Sequence, residues 1–146
     1  MPEVLVATDS RDVYEGVSSA IEVDGTVVRW ARSGRAVLPA LQEQAADLVV
    51  SDIQVGSMGG LAIAMDIALE AGAGRLPPTP VLVLLDRRAD VFLARRTGLA
   101  GWLIKPLDPL RTRDAVEALL AGRGYYDATF APEGAAPGQG RASRSS

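Results

Sequence analysis

Three polar residues with chemical potential stand where short β-rich runs end: Asp9 after Val4 to Ala7, Asp52 after Asp47 to Ser51, and Lys105 after Trp102 to Ile104. Two carboxylates brought together would repel one another and offer oxygen ligands to a hard divalent cation. Lys105 is the only lysine in the chain, where every other basic side chain is arginine. An ammonium is a compact point charge that reaches a phosphoryl or carboxylate oxygen through a narrow opening, whereas a planar guanidinium demands a wider, forked site. Each residue also has an ordinary role open to it: Asp9 as a helix cap, Asp52 as a loop acid, Lys105 as a surface lysine with its stem laid on apolar neighbours.

The rest of the composition narrows the chemistry. With no cysteine and no histidine, disulfides, thiolate metal sites, cysteine nucleophiles and histidine-based triads are excluded. A net charge of -3 gives no overall basic field for a nucleic-acid backbone. The N-terminus lacks a basic region followed by a long apolar stretch, and no segment approaches the roughly 18 apolar residues of a membrane helix. A cytoplasmic location is the expectation.

For the three polar residues to meet, the elements between them must return each strand to the same side. Val4–Ala7, Thr26–Trp30, Asp47–Ser51, Val81–Leu85 and Trp102–Ile104 read as strands. Between them Arg11–Ile21, Gly34–Gln44, Gly60–Glu70, Ala89–Arg96 and Leu110–Leu120 carry apolar residues at helical spacing. Strands one, three and four are nearly continuous apolar runs, as in a parallel sheet covered by helices on both faces. The sequence therefore predicts a doubly wound α/β fold with five parallel strands in the order 2-1-3-4-5, flavodoxin-like, and five helices. In such a sheet ligands bind beyond the carboxyl ends of the strands, where Asp9, Asp52 and Lys105 would converge. Asp9 or Ser10, Ser33 and Asp108 are candidate helix caps, with Pro109 at a first helical position. Residues 1–123 form the expected domain, and 124–146 a flexible tail rich in Gly, Pro, Ser and Ala.

These segments resemble the CheY-like receiver domain of two-component response regulators over Val4 to Gly122. VLVATDS is similar to the family's first strand and its acidic end. LVVSDIQVGSMGG resembles the strand and loop that deliver the phosphoacceptor aspartate, with Asp52, Met58 and Gly60 fitting the loop. WLIKP resembles the fifth strand, with Pro106 after a peptide that is often cis. The resemblance implies a stand-alone receiver, not an enzyme, acting in phosphorelay signal transduction. It assigns Asp52 as phosphoacceptor, Lys105 as counter-charge and Trp102 as the aromatic switch position. It also assigns a Mg²⁺ site from Asp9, Asp52 and the backbone carbonyl of Gln54, with Thr8 acting through water. The implied partner is a sensor histidine kinase or phosphotransfer protein.

Departures from the family pattern cluster at the same place. Thr8 replaces the first of two acids, so Mg²⁺ binding should be weak. Leu85 replaces a Thr or Ser whose hydroxyl bonds the phosphoryl group, and Asp86 stands where a small residue is usual. A hydrogen bond to a charged group contributes about 1.5 to 3 kcal/mol, comparable with an allosteric coupling energy, so switching should be weakened or atypical. The alternative is a pseudo-receiver that binds partners without phosphorylation. A phosphatase reading fails on spacing, since Asp9 is followed by Ser10, Arg11 and only then Asp12. Opposite charges, Arg95 and Arg96 against Asp114 and Glu117, suggest a weak homodimer through helix four, strand five and helix five. Neither nucleic acid nor membrane is an expected partner.

Overall fold

The computed structural model describes residues 1–22 and 25–127. Its main sheet has six parallel strands: β1 (Glu3–Ala7), β2 (Val27–Ala31), β3 (Leu48–Asp52), β4 (Val81–Leu85), β5 (Gly101–Ile104) and β6 (Tyr125–Tyr126). Their order is β2-β1-β3-β4-β5-β6, and every pairing is parallel. Between them run α1 (Arg11–Ile21), α2 (Val37–Glu43), α3 (Gly60–Gly72), α4 (Val91–Arg96) and α5 (Pro109–Leu120). The doubly wound α/β fold and the 2-1-3-4-5 order are as the sequence predicts, with one strand added.

The apolar runs of the central strands supply two cores because successive side chains point to opposite faces. On one face Val4, Val6, Leu48, Val50, Leu82, Leu84 and Leu103 meet Val17 and Ile21 of α1 and Val116 and Leu119 of α5. On the other Leu5, Val49, Val83, Leu85, Trp102 and Ile104 meet Val37 and Leu41 of α2, Ile63 and Ile67 of α3 and Ala94 of α4. Each fully buried Val or Leu contributes about 1.5 to 3 kcal/mol, so these layers fix the strand order and bring the carboxyl ends of β1, β3 and β5 to one edge.

Several boundaries differ from the sequence expectation, each for a local reason. β3 extends to Asp52, making this acid the last residue of a buried strand rather than a loop residue. The second and fourth helices each begin as a 3₁₀ turn, Gly34–Ala36 and Arg88–Asp90. Ser33 makes no side-chain cap bond there, whereas Ser10 accepts from the Val13 N–H at 3.2 Å and Asp108 from the Leu110 N–H at 2.9 Å. With Ser10 capping α1, the Asp9 carboxylate is left for other work. Tyr125–Tyr126 lies within the stretch read as tail, yet it pairs with Gly101 and Trp102 along β5. The tail boundary at residue 124 is therefore corrected. The remaining tail residues, 128–146, lie outside those described.

Removing the α5 cap gives a direct check on this framework. Asp108→Ala should lower stability by about 1 kcal/mol, read as a lower thermal midpoint with an unchanged far-ultraviolet spectrum. An unaltered midpoint would show that α5 does not depend on this cap.

Candidate functional site

The carboxyl edge of the sheet gathers the polar residues that the apolar strands cannot use. Asp52 ends β3 and is only 5% exposed. Its Oδ1 accepts from the Lys105 ammonium at 2.5 Å and from the Ile53 N–H at 3.1 Å. Its Oδ2 accepts from the Thr8 hydroxyl at 3.0 Å. The carboxylate is thus buried with three donors, the condition under which a buried charge is tolerated.

Lys105 follows β5 and is held by its own backbone, whose N–H donates to the Leu85 carbonyl at 2.9 Å. The next peptide, Lys105–Pro106, is cis. The ammonium reaches two acids, since Asp86 Oδ1 lies 2.9 Å from Nζ and Asp52 Oδ1 2.5 Å. Burial works against the ammonium charge. Hydrogen bonds to Asp52 and Asp86, with their Coulomb attraction, outweigh that cost and hold the Lys105 pKa above its ordinary 10.5. Asp86 is therefore a direct partner of the lysine, a role that its position in the sequence did not disclose.

Asp9 projects from the end of β1 as an exposed side chain, and its Oδ2 accepts from the Gly56 N–H at 3.1 Å. This bond ties the first strand's end to the loop after β3, where Gly56 takes a φ of 63°. Gln54, exposed in that loop, donates from its side chain to the Gly56 carbonyl at 3.0 Å. The loop closes as a short antiparallel pairing of Gln54–Val55 with Met58–Gly59. Gly60 then opens α3 against β3 so closely that a Cβ there would stand 2.3 Å from the Asp52 carbonyl oxygen. The glycine is required by that approach.

Thr8 is fully buried and sits at a junction of bonds. Its hydroxyl donates to Asp52 and accepts from the Ser10 N–H at 3.1 Å. Its carbonyl accepts from the Trp30 indole N–H at 2.9 Å. Trp30 in turn stacks on Tyr14, ring centroids 4.3 Å apart and planes 6° from parallel, with the Arg32 guanidinium 4.2 Å from the indole centroid. In the sequence Trp30 stands out only as one of two tryptophans, since neither spacing nor periodicity marks its contact with Thr8.

Leu85, in place of a hydroxyl residue, is wholly buried in the α2–α4 face of the core and gives the site no side-chain donor. Trp102 is 3% exposed on the same face. Side-chain oxygens at this edge include the Asp9, Asp52 and Asp86 carboxylates and the Thr8 hydroxyl. Among the described residues no three carboxylate, imidazole or thiolate groups come together to hold a metal. All the available donors are hard oxygens, a set that suits Mg²⁺ in kind though with one acid fewer than the family's two before the helix.

This geometry, nested in a 2-1-3-4-5 sheet, defines a receiver, and comparison with known proteins agrees. Residues 4–117 match the response regulator receiver domain. The chain belongs to that family. It is 29% identical over 116 residues to the response regulator protein PmrA of Pseudomonas aeruginosa, covering 80% of this chain and 51% of PmrA. It thus spans about half of that relative's length. Protein PilH of the same organism is 23% identical, with 84% of this chain and 100% of PilH covered. Among solved structures, the chemotaxis response regulator CheY4 of Vibrio cholerae superposes with a TM-score of 0.70 at 25% identity, over 80% of this chain and 97% of that one.

The charge arrangement makes two measurable statements. Asn at position 52 can keep its oxygen toward Lys105 and the Ile53 N–H while its amide donates to the Thr8 oxygen, so Asp52→Asn should change stability by no more than about 1 kcal/mol. Lys105→Met leaves the buried carboxylate without its cation and should cost about 2 kcal/mol. Urea unfolding at neutral pH compares the two; equal losses would mean that Lys105 does not stabilise the buried acid.

Alkali offers the second check. Lys105 holds its proton more tightly folded than unfolded, so its contribution is complete below the ordinary value and is lost as pH rises through the folded one. Tyr125 shifts in the same direction, above 10.0, first through burial and then through the charge of Asp127. Stability should therefore decline above about pH 10. In Lys105→Met that decline should be shallower, and an identical slope in the two proteins would contradict the assignment.

Proposed function

We propose that this chain is a stand-alone receiver that accepts a phosphoryl group on Asp52 and signals with weakened switching. The observation that carries the reading is the buried Asp52 carboxylate with the only lysine at 2.5 Å. In the proposed step a carboxylate oxygen of Asp52 attacks phosphorus of a phosphohistidine or a small acyl phosphate. The new O–P bond forms as the bond from phosphorus to the leaving nitrogen or oxygen breaks, and the leaving group takes that electron pair. The Lys105 ammonium then turns from the carboxylate to a phosphoryl oxygen, a move its flexible stem permits. Thr8 keeps the other carboxylate oxygen in place, and the Asp9–Gly56 bond ties the loop after β3 to the end of β1.

Mg²⁺, when bound, would supply charge neutralisation between nucleophile and phosphate, with Asp9, Asp52 and the Gln54 carbonyl as ligands and Thr8 reached through water. Affinity in the millimolar range or weaker follows from the missing acid. The likeness to PmrA and CheY4 supports a sensor histidine kinase or phosphotransfer protein as donor. The proposed role is one of signalling in the cytoplasm, without enzymatic turnover. Among the described residues no helix is long and apolar enough to cross a membrane.

Switching is proposed to be weak because Leu85 offers no hydroxyl to the phosphoryl group, while Asp86 competes with it for Lys105. That competition is also what favours the second reading, a pseudo-receiver that binds partners without phosphorylation. A homodimer through α4, β5 and α5 would meet obstacles: β6 lies along β5, and Glu117 already stands 3.6 Å from Arg113 on its own helix. Any such dimer should be weaker than the charge pattern alone suggests.

Incubation with acetyl phosphate and Mg²⁺ followed by intact-mass measurement tests the reading. Wild type should gain one phosphoryl group, Asp52→Asn none, and Lys105→Met markedly less than wild type. No gain by wild type would favour the pseudo-receiver, and a gain by Asp52→Asn would place the acceptor elsewhere. Titration of Mg²⁺ against Trp30 emission, in a Trp102→Phe background, should show weak binding that Asp9→Ala abolishes.

A further inference from the structure

β6 is joined to the domain by more than a chance apposition. The Tyr125 N–H donates to the Ala100 carbonyl at 3.2 Å and the Asp127 N–H to the Trp102 carbonyl at 3.2 Å. The Asp127 carbonyl accepts from the Trp102 indole N–H at 3.2 Å, and its carboxylate Oδ2 accepts from the Ile104 N–H at 2.9 Å. Asp127 is only 6% exposed. The Tyr126 ring lies against Trp102 with centroids 4.9 Å apart, while Tyr125 packs into the α1–α5 core.

The acceptor side is shaped for this segment. A Cβ at Gly101 would stand 2.6 Å from the Tyr125 carbonyl oxygen, so only glycine lets the strand come so close. The Ile104 N–H is an edge donor that a further ladder carbonyl would ordinarily satisfy. Here the Asp127 side chain satisfies it and thereby ends the ladder. A buried edge donor left unpaired is costly, so an acceptor at position 127 is selected by the edge itself.

We propose that the outer edge of β5 is a strand-binding site for an extended segment in which two aromatic residues precede an acceptor, filled in cis by Tyr125–Asp127. Its occupancy holds Trp102 buried. Main-chain bonds to Ala100 and Trp102 supply the general affinity of strand addition, and three features read the sequence: the room at Gly101, the Trp102 ring and the Ile104 N–H. Trp102 cannot turn outward while its indole N–H bonds the Asp127 carbonyl and its ring rests on Tyr126. Departure of the segment and release of Trp102 are therefore one event, and this coupling needs neither a hydroxyl at position 85 nor a phosphoryl group on Asp52.

Acrylamide quenching of the full chain in a Trp30→Phe background, where Trp102 is the only tryptophan, tests the site. The parent should be poorly quenched and Asp127→Ala severalfold more so. Asp127→Asn, which keeps an acceptor oxygen for Ile104, should stay close to the parent. In the double variant Tyr125→Pro/Asp127→Ala, which loses two of the segment's bonds, Trp102 should be exposed. A synthetic peptide spanning residues 123–130, added in trans, should restore its protection, whereas a peptide with alanine in place of the aspartate should not. Unchanged quenching in Asp127→Ala would overturn the proposal, as would equal rescue by both peptides. Should the double variant fail to fold, judged by its far-ultraviolet spectrum, the contrast between Asp127→Ala and Asp127→Asn decides alone: equal quenching in those two refutes the site.

Discussion

One ion pair organises the edge of this domain: a buried carboxylate at the end of β3 and the ammonium that neutralises it from the end of β5. A carboxylate almost without solvent is tolerable only with a counter-charge and filled hydrogen-bond positions. Asp52 has both, and each partner arrives from a different strand. The Lys105 stem reaches Asp52 across β4, and Thr8 reaches it from β1 on the other side. The strand order is thus a condition of the charge arrangement, and the two apolar layers enforce that order.

The same pair explains why substitutions that look minor in the sequence matter. Thr8 in place of an acid donates to Asp52 instead of repelling it, which stabilises the resting carboxylate. Asp86 adds a second claim on the lysine, so that one ammonium serves two acids. A ligand or phosphoryl group at Asp52 must compete with Asp86 for it. Leu85, buried in the core, offers no hydroxyl at the end of β4. What remains is an edge whose resting carboxylate is well satisfied.

Much of this was legible in the sequence because it rests on periodicity. Continuous apolar runs mark β3 and β4 as strands covered on both faces, and the helical spacing between them dictates parallel pairing, from which the meeting of Asp52 and Lys105 follows. The features that escaped depend on single contacts. Asp86 reads only as an acid where a small residue is usual until its carboxylate is seen 2.9 Å from Lys105. Trp30 reads as a strand residue until its indole is found on the Thr8 carbonyl. Tyr125 to Asp127 sit between glycines and a stretch of small residues, with too few positions to show an alternation, so the sixth strand merged with the tail. Its strength lies in Gly101 and in the edge of β5, both remote from it in the chain.

Asp52 and Lys105 act as one charge unit. A double-mutant cycle in urea unfolding at neutral pH, using Asp52→Asn, Lys105→Met and the double variant, measures that directly. A coupling of about 1 kcal/mol or more is predicted, with the double variant closer to wild type than Lys105→Met alone. Strict additivity, with the two losses simply summing, would show that the two residues stabilise the edge independently.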